Sequence, residues 1–155
     1  MGTREVLTLK DRIAAARRVG RVDIGQAARG SDSPVQAADA AALAAGAIAI
    51  GAAWTAIDQD QARAIIRKLL TRDLAYNIRC MPDTQAAALS DEILGLVPAS
   101  THFFTSLGMD EWFGLGDGVA VKTQSFNAVT EATFSAAVAI VGIDQTTVLV
   151  ISDED

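Results

Sequence analysis

Residues 40–57 read AAALAAGAIAIGAAWTAI, eighteen positions without a charge between Asp39 and Asp58, and their solvation decides whether the chain belongs in a bilayer or in water. A membrane-crossing helix needs about 20 such residues, so length alone keeps both options open. Composition separates them. The run holds ten alanines, two glycines and Thr55, with Leu43, Ile48, Ile50, Trp54 and Ile57 as its large apolar side chains. Leu or Ile at a helix centre contributes only roughly 0.3 to 0.6 kcal/mol to insertion, so the total is near 2 kcal/mol and one buried Asp would cancel it. Neither flank carries a positive cluster, the nearest cations being Arg29 and Arg63. The expectation is no membrane span, but an Ala-rich helix buried in a water-soluble protein, open to a break at Gly46 or Gly51. Ala42 with Gly46 and Ala47 with Gly51 repeat a small-x-x-x-small spacing. In water that spacing permits close approach of another element.

Working outward, Thr8 with Asp11 suggests a helix start, followed by Leu9, Ile13 and Ala16 on one face and a stop at Gly20. Residues 21–34 hold Gly25, Gly30, Ser31, Asp32 and Ser33 and read as a linker. Asp58 with Gln61 repeats the capping pattern and opens an amphipathic helix whose apolar positions are Ala62, Ile65, Ile66, Leu69 and Leu70, fading near Tyr76 and Asn77. Arg63, Arg67, Lys68 and Arg72 form its wet side, the ordinary solvent face of such a helix. Pro82 and Asp83 start a further helix along Ala86, Leu89, Ile93 and Leu96, which Pro98 ends.

Beyond Pro98 the texture becomes β-branched and aromatic. Residues 119–124 alternate, and residues 133–141 and 147–151 are apolar runs flanking a turn, which predicts an antiparallel hairpin. Thr147 to Ile151 is too continuously apolar to keep one face wet, so helices should cover the sheet. The fold class expected is α+β: about four amino-terminal helices packed on a carboxyl-terminal antiparallel sheet. All 155 residues form one domain in this reading, with 1–97 mainly helical and 98–155 mainly strand and loop.

Charge is unevenly spread behind the net of −6. Residues 1–29 carry seven cations against three acids, whereas residues 80–155 have Lys122 alone against eleven acids. A negative field of this kind repels nucleic-acid phosphate, so nucleic acid is not an expected partner. It steers basic proteins instead. The basic amino-terminal segment lacks interleaved aromatics for base stacking. A single cysteine, Cys80, and charges interrupting any apolar leader favour the cytoplasm.

Catalytic parts are scarce. His102 is the single histidine, and no nucleophile motif accompanies it or Cys80, Ser106 and Asp110. One Cys and one His do not make a zinc site, and Asp153, Glu154 and Asp155 read as a solvated tail. Gly114, Gly116 and Gly118 precede a strand rather than a helix and enclose Asp117, so they read as a turn. No cofactor or metal is expected.

The aromatic residues Trp112 and Phe113 stand among Asp110, Glu111 and Asp117, a combination suited to anchoring a basic partner. The leading expectation is therefore a non-enzymatic acidic protein-binding domain, of the toxin-neutralising (immunity-type) or enzyme-inhibiting kind. A ligand-binding protein or small enzyme with a pocket near His102, Phe104 and Trp112 is the alternative. A subunit of a homo-oligomeric or phage-like assembly is the third reading.

Overall fold

The computed structural model describes residues 3–72, 78–106 and 134–153. Within them the chain runs α1 (Thr3–Arg17), β1 (Arg21–Ala28), α2 (Pro34–Ala44), a 3-10 turn (Gly51–Ala53), β2 (Thr55–Ile57), α3 (Gln59–Thr71), α4 (Asp83–Gly95), β3 (Ser100–Thr105), β4 (Phe134–Gly142) and β5 (Gln145–Asp153). The strands form one sheet in the order β1-β5-β4-β3-β2, antiparallel throughout. The class is α+β, as expected, with two of the five strands contributed by the amino-terminal part.

The β4–β5 hairpin is the centre. Its register runs from Phe134 opposite Asp153 to Val141 opposite Thr146. Because strand side chains alternate, Ala136, Val138, Ile140, Leu149 and Ile151 point to one face and meet α1, α3 and α4. Ala137, Ala139, Val148 and Val150 point to the other and meet α2 and Trp54. Helices on both sides explain why neither strand keeps a wet face. The α3 stripe Ala62, Ile65, Ile66, Leu69 and Leu70 is buried, and Asp58 caps it: its Oδ1 accepts the Gln61 N–H at 2.7 Å while its own N–H donates to Gln61 Oε1 at 2.9 Å.

The uncharged run departs from the single helix expected of it. Helix α2 begins earlier, at a capping box between Ser33 and Gln36, and ends before Gly46, whose φ of +83° disfavours any residue with a Cβ. The remainder turns back through the 3-10 segment into the short edge strand β2. Asp39 holds this return, its Oδ1 accepting the N–H groups of Ile50 and Gly51 at 3.0 and 3.2 Å and Trp54 Nε1 at 2.8 Å. Ala37, Ala38, Ala41 and Ala42 are buried, whereas Leu43 and Ile48 are 59 % and 52 % exposed. The small residues face the sheet because only they allow the approach described next.

Residues 21–28, expected to be linker, are strand β1, paired with β5 along its whole length. Val22 and Ile24 supply the alternation that reaches the core, and Gly25 is a packing residue rather than a loop residue. A Cβ on Gly25 would fall on the Ala41 carbonyl and the Ala45 nitrogen of the α2 end. Helix α1 likewise starts before Thr8, which lies inside it rather than capping it. Leu9 and Ile13 anchor this helix in the core.

Arg17 and Asp153 change the reading of both ends of the chain. Arg17 continues the Leu9–Ile13 face, and its side chain is fully buried. Its Nη1 and Nη2 donate to Asp153 Oδ1 and Oδ2, each at 2.7 Å, Nε donates to the Leu69 carbonyl at 3.0 Å, and the remaining donors reach the carbonyls of Val19 at 2.8 Å and Arg72 at 2.7 Å. All five guanidinium donors are therefore used. Asp153, expected in a solvated tail, is 1 % exposed. Helix α3 stops at Thr71 instead of fading near Tyr76, which lies outside the described residues, because Arg72 turns to extended backbone (φ −127°). Gly20, at φ +69°, sits where a Cβ would strike the Asp153 carboxylate. The alternating stretch 119–124 also lies outside the described residues.

Removing one member of this pair strands a buried charge, so Arg17→Met or Asp153→Leu alone should cost about 3 to 5 kcal/mol in urea unfolding, while the double change should recover most of that loss. Gly25→Ala should cost about 1 to 3 kcal/mol by overpacking, read as a lower midpoint with an unchanged m-value.

Candidate functional site

The described side chains include eleven cations and eleven carboxylates. The chain leaves the sheet after Ser106 and re-enters at Phe134, opposite Asp153, so Asp110, Glu111, Asp117, Glu131, Glu154 and Asp155 are all attached at that end. The stem is fixed: Thr105 Oγ1 donates to the Ala137 carbonyl at 3.0 Å, the Ser106 N–H donates to the same oxygen at 3.1 Å, and Ser106 Oγ accepts the Ala137 N–H at 2.9 Å.

The expected partner-binding residues Asp110, Glu111, Trp112, Phe113 and Asp117 themselves lie outside the described residues, as do Gly114, Gly116 and Gly118. The acids of the carboxyl half with described side chains are mostly ion-paired. Asp83, Asp91, Glu92 and Asp153 are paired with Arg79, Arg63, Arg12 and Arg17, and Asp144 alone of this group is exposed without an ion pair. Folding joins the basic amino-terminal segment to the acidic carboxyl half through Arg12–Glu92 and Arg17–Asp153, and of the four carboxylates Asp153 alone is buried.

Of the pocket candidates, His102 and Phe104 share a face of β3 and stack with ring centroids 6.5 Å apart and planes within 6°. Phe104 is buried beneath α2 and Trp54, while His102 is exposed with its Nδ1 3.0 Å from Thr101 Oγ1. Trp112, the third member, lies outside the described residues. His102 thus stands as a rim residue over an aromatic core side chain, four positions along the strand from Ser106.

Among the described residues, clefts open on the helical layer instead. One, about 570 Å³, lies between α1 and α4 and is lined by Arg12, Arg18, Cys80, Gln85, Leu89 and Glu92 among others. The second, about 280 Å³, lies beside the end of α3. Arg12 clamps Glu92 with two bonds of 2.8 and 2.7 Å, which join α1 to α4 across the first cleft. Hydrogen bonding from Arg12 holds the Glu92 carboxyl below its usual range, against a smaller opposing effect of burial, and the Arg12 guanidinium is correspondingly raised. Sequence reading did not find this pair, since no local spacing relates residues eighty positions apart.

The sheet edge offers little to another strand. Asp23 of β1 is nearly buried and takes Arg21 Nε at 2.8 Å and Lys10 Nζ at 3.2 Å. Strand parity puts Asp23 on the α2 face whereas α1 packs on the other, so the Lys10 bond crosses the open edge of β1 and obstructs strand addition. Among the described residues, no group of three or more His, Cys, Asp or Glu is placed to hold a metal ion, and no helix is long and apolar enough to cross a membrane. No family model matches the chain, and neither a curated protein nor a solved structure matches it.

A carboxylate depressed by its partner stabilises the fold above its unfolded pKa and ceases to do so as pH falls through the folded value. The Glu92 carboxyl should therefore titrate by NMR below the ordinary glutamate value of about 4.3. In Arg12→Ala the midpoint should rise toward that value, and the stability gap between the two proteins should close as the pH is lowered through the wild-type midpoint.

Proposed function

We propose that this protein is a non-enzymatic protein-binding domain that engages a basic protein partner through the acidic and aromatic residues Asp110, Glu111, Trp112, Phe113 and Asp117. The observation that carries this reading is the charge partition along the sequence: residues 80–155 hold Lys122 alone against eleven acids, three of which, Asp110, Glu111 and Asp117, stand close to Trp112 and Phe113 in the chain. Asp83, Asp91, Glu92 and Asp153 are ion-paired within the fold, which leaves long-range steering to acids such as Asp110, Glu111 and Asp117, neighbours of Trp112 and Phe113 in sequence. Aromatics of that kind supply the desolvated anchors of an interface, and the acids around them accelerate encounter. Toxin neutralisation or enzyme inhibition suits such a module, because covering a basic active surface requires no catalytic group. A single cysteine, Cys80, which has no second cysteine in this sequence to pair with, agrees with residence in the reducing cytoplasm.

Affinity capture should retain a basic protein whose association slows on the order of tenfold as salt is raised from low to physiological strength. The combined variant Asp110→Asn, Glu111→Gln, Asp117→Asn should lose that salt dependence and most of the capture. Equal capture by the variant, or binding indifferent to salt, would overturn the reading.

A further inference from the structure

Helices α1 and α4 are joined across their cleft by a bridge, the exposed Arg12–Glu92 pair, while the other residues that they turn toward it are mostly small: Ala15 and Ala16 from α1, and Ala88 from α4. Larger side chains would interdigitate here and fill the space, as they do in close-packed helix contacts. A concavity of about 570 Å³ is left instead. Leu89 is buried and Ala16 half-buried, so they form its floor, while Arg18, Gln85 and Ala88 stand exposed at its rim. Small-molecule sites commonly have this form, a volume of roughly 300 to 1,000 Å³ with apolar walls and a few polar groups.

Arg12 is matched by Glu92, so the uncompensated charge on these walls is the guanidinium of Arg18. Unlike Arg12, Arg17, Arg21 and Arg63, Arg18 has no carboxylate partner and no side-chain hydrogen bond among the described residues. Its backbone is nevertheless fixed, with φ at +67° and its N–H donating to the Ala14 carbonyl at 3.0 Å. A left-handed position after a helix favours glycine, so the fold's own contacts do not explain an arginine there. A ligand matched to these walls has an apolar body for Ala16, Ala88 and Leu89 and one negative charge for Arg18. A carboxylate suits that charge because its two oxygens take parallel N–H bonds from a guanidinium, and Gln85 adds an amide donor at the same rim. A second negative charge would be opposed by Glu92. At roughly 30 Å³ per water, the cleft has room for a molecule of about ten non-hydrogen atoms with water beside it.

We propose that the α1–α4 cleft binds a small apolar monocarboxylic acid, anchored through its carboxylate by Arg18, independently of the acidic residues and their protein partner. Octanoate at neutral pH is the probe, with acetate supplying the charge without the body and 1-octanol the body without the charge. Octanoate should raise the melting temperature of the full chain saturably, and should shift the amide NMR signals of Ala15, Ala16, Ala88 and Leu89 with one common dissociation constant. Acetate and 1-octanol should bind about tenfold more weakly or less. Two variants separate the site from the fold. Arg18→Gly suits the positive φ, so its ligand-free melting temperature should hold or rise while octanoate weakens by about tenfold or more. Ala88→Leu keeps helix propensity and fills the rim, so it should also lose octanoate without lowering ligand-free stability. No saturable shift with octanoate, an equal shift with 1-octanol or acetate, or unchanged octanoate affinity in both variants would overturn the assignment.

Discussion

A guanidinium with no access to water sits where the two ends of this chain meet. Arg17 closes α1, takes two carbonyls from the end of α3, and grips Asp153 at the end of β5. An ion in that position is tolerable only because every donor is used, and its geometry then constrains everything attached to it. The turn after α1 needs a glycine at residue 20, α3 is halted at Thr71, and the carboxyl end of β5 is tied into the core rather than released. The contribution of such a pair is to fix register and termination more than to add net stability, since its desolvation offsets much of its attraction.

The opposite face of the sheet is governed by size rather than charge. Helix α2 lies on β1, β4 and β5 through alanines, and Gly25 removes the last side chain from between the backbones. Close approach of this kind increases dispersion contacts while burying little area per residue, so it depends on shape and tolerates no added methyl. Trp54 closes the end of that layer through its bond to Asp39. With both faces covered and β1 guarded by the Lys10–Asp23–Arg21 cluster, the scaffold is self-sufficient.

Much of this was legible beforehand wherever period and capping agreed. The α3 stripe with its Asp58–Gln61 box, the α4 start at Pro82 and the terminal hairpin follow from local spacing, and each is found in place. Strand β1 was hidden because Gly25 and the polar residues after Ala28 resemble a loop; only the presence of α2 above it gives that glycine a packing role. The Ser33–Pro34–Gln36 start of α2 was a readable cap overlooked in favour of the longer uncharged run. Arg17 was signalled too, four residues after Ile13 on the same helical face, and Asp153 two after Ile151 on the same strand face. Polar residues at core positions ask for partners, but periodicity says nothing about which ones.

By itself, then, the sequence determined the class of fold and the faces of α3, α4 and the terminal hairpin, because these depend on neighbours within a few residues. Tertiary structure decided which charges cancel. Arg12 with Glu92, Arg63 with Asp91 and Arg17 with Asp153 are pairs made by bringing distant segments within 4 Å, a separation that no local pattern encodes. The physical reason is range: side-chain periodicity acts along the chain, whereas a Coulomb pair acts through space and exists only once the core has set the distance.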